Sequence, residues 1–135
     1  MKMLVALSTG ALLLSTAAFA QPMAAGLMTS VPSSSLTVTD WYKQDVYDPS
    51  NAKIGEIMDV LVAKDGQVQT AIVGVGGFLG AGEKDVAVSF SSIKKIMKDD
   101  KVYLTLDTTK DALKKAPGFK YDSTKTTWVP DKSSQ

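Results

Sequence analysis

The chain from Gln44 to Leu106 is a succession of short β-branched runs, each cut off by turn-forming residues before a helix of useful length can close. That punctuation restricts the fold to a strand-built one. Gln44 to Tyr47 reads as a first strand and stops at Asp48-Pro49-Ser50-Asn51. Ile54 to Ala63 reads as a second. Its apolar residues fall out of strict alternation, and a bulge near Gly55 would bring Ile57 and Leu61 onto one side. Asp65-Gly66 predicts a hairpin, because the pair tolerates positive φ, and Val68 to Val75 is the return strand. Apolar residues on both of its faces predict a barrel wall or a covered sheet. Beyond a glycine loop at 76–82, Val86, Val88 and Phe90 alternate with Asp85, Ala87 and Ser89. A turn at Ser91-Ser92 leads into Ile93 to Met97, Lys98 to Lys101 is a hairpin tip, and Val102, Leu104 and Leu106 mark another strand. A single helix is expected around Asp111 to Ala116, opened by a capping box Thr108-x-x-Asp111 and stopped by Pro117-Gly118. The expected class is all-β, a small barrel or curled sheet with one short C-terminal helix.

What the composition lacks excludes whole classes of chemistry. The 135 residues contain no Cys, no His and, by inspection, no Arg. Disulfides, thiolate zinc sites, Ser-His-Asp catalysis and histidine-ligated metals are therefore ruled out. The bidentate guanidinium fork that recognises phosphates and bases is missing as well. At the N-terminus, Met1-Lys2-Met3 precedes the apolar stretch Leu4 to Leu14, and Ala18-Phe19-Ala20 ends it. This is the pattern of an export signal at residues 1–20, cut between Ala20 and Gln21. Its removal takes Lys2 away and leaves lysines and acids equal in number. A neutral exported chain is a poor fit to nucleic acid. The expected location is the periplasm, or the inner membrane if the signal is retained as a tether. Residues 21–35 read as a flexible leader, 36–130 as one domain, and 131–135 as a polar tail that frays.

Several segments invite a chemical reading and fail on spacing. In Gly74-Val75-Gly76-Gly77-Phe78-Leu79-Gly80-Ala81-Gly82-Glu83-Lys84, the dinucleotide fingerprint fails at Leu79. The P-loop pattern fails where Glu83 replaces its lysine. The glycines instead suit a folded-back connection, with Phe78 and Leu79 tucked over a barrel end or exposed as contacts. Ser91-x-x-Lys94 and Ser92-x-x-Lys95 match the Ser-Lys pair of penicillin-recognising enzymes, but the companion motifs are absent. Asp45-x-x-Asp48-x-x-Asn51 lacks calcium-loop spacing and reads as a turn. Nothing in the sequence sets a carboxylate pair across a cleft. Asp59, between Met58 and Val60, is expected to face water or to be hydrogen-bonded at a rim.

Taken together, Asp45-Val46-Tyr47-Asp48, Lys53 to Val60, Asp65-Gly66 and Val73 to Leu79 with Gly80, Glu83-Lys84-Asp85 and Val86 to Val88 resemble the PRC-barrel family, in its exported stand-alone branch. The resemblance covers about residues 40–106. It implies a six-stranded β-barrel like those of the photosynthetic reaction-centre H subunit and a ribosome maturation factor, where it serves as a protein-contact module without catalytic residues. The chain departs from the first in having no clear anchor helix, and its export signal contradicts ribosome work. The expectation is a non-enzymatic module without cofactor or metal, contacting another envelope protein or itself. Its surface would comprise Gly76, Gly77, Phe78, Leu79, Gly80, Glu83 and Lys84. The alternative is a small serine-lysine hydrolase using Ser91 or Ser92.

Overall fold

The computed structural model describes residues 26–76 and 82–134. The export signal, its Ala20–Gln21 junction and Gly77, Phe78, Leu79 and Gly80 lie outside the described residues. The chain divides into two units, one ending at Ser33 and one beginning at Ser34. The latter holds eight strands: β1 Asp45–Tyr47, β2 Lys53–Val62, β3 Val68–Val75, β4 Lys84–Ser89, β5 Ile93–Lys98, β6 Lys101–Leu106, β7 Gly118–Asp122 and β8 Thr127–Pro130. One helix, α1 (Lys110–Lys115), follows β6. Thr109, not Thr108, caps it, accepting from the Ala112 N–H at 3.1 Å.

The strands form one sheet in the order β5-β6-β1-β2-β3-β4-β7-β8, antiparallel except where β1 runs parallel to β6. Two corrections to the sequence expectation follow. Among the described residues there are eight strands rather than six, and no ladder closes the sheet into a barrel. Closing a ring of the first six would require β4 to pair with β5. Instead β7 takes the edge of β4, with Asp85 opposite Phe119 and Val86 opposite Gly118. The 3-10 turn Phe90–Ser92 packs Phe90 on Trp41, ring centroids 4.2 Å apart, and releases β5 to pair with β6.

The sheet still wraps one core. Val46, Ile57, Val73, Val75 and Val86 from its centre meet Leu104 and Leu106 of β6, Ile93 of β5, Trp41, and Leu113 of α1 in one apolar cluster. Two irregularities in β2 make this possible. The β1–β2 ladder skips Ile54, and the β2–β3 ladder skips Met58. Each inserted residue reverses the inward face, so Ile54, Ile57 and Val60 all reach the core despite odd spacings. Val60, rather than Leu61, is the residue that joins Ile57.

Ile72 is fully buried yet belongs to no part of that cluster. It points to the other face, where its ladder partner Asp59 accepts a 2.8 Å hydrogen bond from Trp128 Nε1. Trp128 of the β7–β8 hairpin therefore reaches the outer face of β2 at Asp59, with Tyr121 and Trp128 edge to face at 5.9 Å. At the C-terminus, the Asp131 N–H donates to the Gly118 carbonyl and a 3-10 turn spans Lys132–Ser134.

Candidate functional site

The glycine loop leaves the sheet through a narrow neck. Gly76 has φ +97°, and a Cβ there would stand 2.8 Å from the Gly82 carbonyl oxygen, so the two ends of the loop nearly touch. A folded-back connection needs glycine here on both counts, the left-handed backbone and the close approach. Beside the neck, at the end of β2 and β3, opens a cleft of about 440 Å³. Gly55, Gly74 and Gly76 give it a floor of bare backbone, with Ile54 beneath. Glu56 and Glu83 supply acidic walls, and Lys53 and Lys110 basic ones.

Each wall is held by local chemistry. Register places Glu56 opposite Gly74, and Gly74 opposite Asp85 on the next strand. Because Gly74 has no side chain, the Glu83 carboxylate rests directly against it, flanked by Met58. Lys53 is paired with Asp45 at 2.6 Å, and that bond holds its ammonium above the ordinary lysine range. Lys110 enters from the first turn of α1. That helix is fixed by buried Leu113 and by Lys84, whose Nζ donates to the carbonyls of Lys114 and Ala116 at 2.8 and 2.7 Å. A cation on the last carbonyls of a helix complements its dipole.

Asp85 sits behind the acidic wall with one carboxylate oxygen buried and unpartnered among the described residues. Burial pushes its carboxyl above the ordinary carboxylate range, and the neighbouring charge of Glu83 adds to the effect. An acid whose folded value is raised favours its neutral form in the fold. It costs nothing below the unfolded value of about 3.9 and destabilises progressively as pH rises through the folded value. Asp40, Asp48, Asp122 and Asp131 are shifted downward, each chiefly by a side-chain hydrogen bond, and their contribution is lost only as pH falls below that range. Asp85→Asn is therefore expected to gain stability over the native chain as pH rises from 4 to 7. Urea midpoints at four pH values check this, and a gap that is flat or shrinks with pH contradicts the assignment.

Of the surface expected from the sequence, Gly76 and Glu83 line the cleft, whereas Lys84 is spent on α1. The structure adds Lys53, Glu56 and Lys110, which only strand register and helix placement bring there. It also brings the two glutamates of the chain to one cleft, which nothing in their spacing foretold. Ser91 and Ser92 stand exposed in the 3-10 turn. The Ser91 hydroxyl is shared with Ser89 at 2.9 Å, and Lys95 is paired with Asp40 at 2.5 Å. The lysines lie on β5, and among the described residues neither Lys94 nor Lys95 is hydrogen-bonded to Ser91 or Ser92. Asp48 proves a turn former, accepting from Ser50 and Ala52. Among the described residues no group of three or more His, Cys, Asp or Glu is placed to hold a metal ion. Among the same residues no helix is long and apolar enough to cross a membrane.

Comparison with known proteins agrees with this architecture. No curated protein matches the sequence. Residues 35–113 match the PRC-barrel domain model, a span that holds β1 to β6 and the start of α1 and stops short of the β7–β8 hairpin. The match covers more than half of the chain and all six strands read from the sequence, and the chain belongs to the PRC-barrel family.

Proposed function

We propose that the chain is an exported, non-enzymatic contact module of the bacterial envelope, working in the periplasm on another envelope protein or on a second copy of itself. The observation that carries the reading is the cleft at the loop neck. A backbone floor lets a partner chain approach closely, and walls of both signs suit a polar protein surface better than a phosphate or a nucleic acid. Membership of a family of small β-domains that commonly mediate interactions supports it. Phe78 and Leu79, which lie between Gly76 and Gly82 in the sequence, would supply the apolar contacts, with Glu83 on the rim. The alternative of a serine-lysine hydrolase has no hydrogen-bonded Ser-Lys pair among the described residues to support it.

In-cell photo-crosslinking from position 78 tests the surface, with position 65 at the opposite hairpin tip as control. A discrete adduct from position 78 that position 65 does not give is the expected result. Identical adducts from both, or none from either, would refute the assignment. Export is tested separately by N-terminal sequencing of the periplasmic protein, expected to begin at Gln21. A start at Met1 would favour the membrane-tethered form.

A further inference from the structure

The sheet has two ends, and they are built differently. β8 is four residues long and finishes on Pro130, which has no N–H to offer. β5 is six residues long, contains no proline, and pairs with β6 in unbroken register from Ile93–Leu106 to Lys98–Lys101. On its far side the Ile93 N–H is taken by the Phe90 carbonyl of the preceding 3-10 turn, and among the described residues no other segment's backbone bonds to Lys94–Lys98 beyond β6. A regular, unbulged edge of this kind is a template for one more strand.

Its side chains select what that strand can be. Lys94, Ile96 and Lys98 share one face and are exposed, Ile96 by 45%. Ile96 adjoins Tyr103 and Tyr47, whose rings lie 5.7 Å apart, around a cleft of about 220 Å³. The face is thus an apolar stripe between lysines, with Lys101 opposite Lys98. The nearby acids do not cancel it at the edge: Asp45 is held by Lys53, and Asp99 and Asp100 form the hairpin tip beyond the strand. On the inner face Lys95 is already paired with Asp40. A second copy pairing about Ile96 would set Lys94 of each chain opposite Lys98 of the other, and like charges directly opposed are unfavourable.

We infer that the β5 edge receives an extended acidic peptide segment of a partner protein, added as a further strand with the alternation acidic-x-apolar-x-acidic. Backbone hydrogen bonds along β5 supply affinity. Carboxylates opposite Lys94 and Lys98, with an apolar side chain opposite Ile96, supply selectivity. The inference rests on the reading of the chain as a contact module but uses a surface other than the glycine loop. Its failure would leave crosslinking from position 78 unaffected.

The test uses the full chain and a short fluorescein-labelled peptide in which threonines alternate with Glu, Val and Glu. Saturable binding that weakens with salt is expected, with slowed amide exchange confined to residues 93–98. The double variant K94E/K98E, with both changes on exposed side chains, is expected to weaken binding about ten-fold and to prefer the matching lysine peptide. Four outcomes would overturn the inference: no binding by a folded chain, equal binding of the lysine peptide, protection away from β5, or β5 protection that appears with protein concentration alone. Binding of anionic vesicles without binding of the peptide would count equally against it.

Discussion

Gly55→Ala is expected to destabilise the fold by about 3 kcal/mol, at the upper end of what one added methyl group costs in a packed interior. The added Cβ would stand 2.6 Å from Val73 Cγ1 and 2.7 Å from the Gly74 carbonyl oxygen. Val73 is buried and stiff at χ1, and the carbonyl is backbone of β3 held between β2 and β4, opposite Glu56 and Asp85. Neither can yield without moving a strand. Val73→Ala in the same chain should recover only part of the loss, because the carbonyl contact remains. Gly66→Ala is the control. Its φ of +86° carries a conformational cost, but nothing lies within 4 Å, so a loss of about 1 kcal/mol is expected. Urea unfolding measures all three, and a Gly55→Ala loss no larger than that of Gly66→Ala would show that β2 and β3 are not held as closely as the glycine implies.

The second large effect concerns the hairpin beyond the family match. Trp128→Ala is expected to cost about 3 kcal/mol, because it removes a half-buried indole packed edge to face on Tyr121 and leaves the part-buried Asp59 carboxylate without its Nε1 donor. Trp128→Phe keeps most of the apolar cover and loses the hydrogen bond, an effect of about 1 kcal/mol. A double-mutant cycle with Asp59→Ala isolates the bond, with an expected coupling of about 1 kcal/mol. A coupling near zero would mean that the hairpin is held by β7–β4 pairing alone and that the Trp128–Asp59 bond adds nothing. The β4–β7 ladder comprises two pairs, Asp85–Phe119 and Val86–Gly118, and the Trp128–Asp59 bond is a second tie between the hairpin and the central sheet.

Most of the central sheet could be read directly. The six strands between Gln44 and Leu106 fall where β-branched runs and turn residues put them, and Asp48 and Asp65-Gly66 make the turns expected of them. The C-terminal hairpin escaped that reading, although Phe119-x-Tyr121 and Trp128-Val129 flank a polar turn at Asp122 to Thr126. Its strands are short, and their signal lies in aromatic residues whose partners are distant in sequence. Of the site, Gly76 and Glu83 were legible because they border the loop itself. Lys53, Glu56 and Lys110 were not, since each reaches the cleft through the placement of a different element. Lys84 misled for the same reason. In sequence it adjoins the loop, whereas its ammonium is drawn to the exposed carbonyls at the end of α1, thirty residues later.

Local chemistry along the chain was enough to set where strands begin and end, which turns join them, and which reactions lack the necessary side chains, because each of those depends on neighbours a few positions away. Whether the sheet closes was settled elsewhere, by competition for the free edge of β4, and the C-terminal hairpin takes part of that edge. The same tertiary choice buried Ile72, gave Asp59 its partner and left β5 open, because strand pairing joins segments whose separation in sequence sets no preference between rival edges.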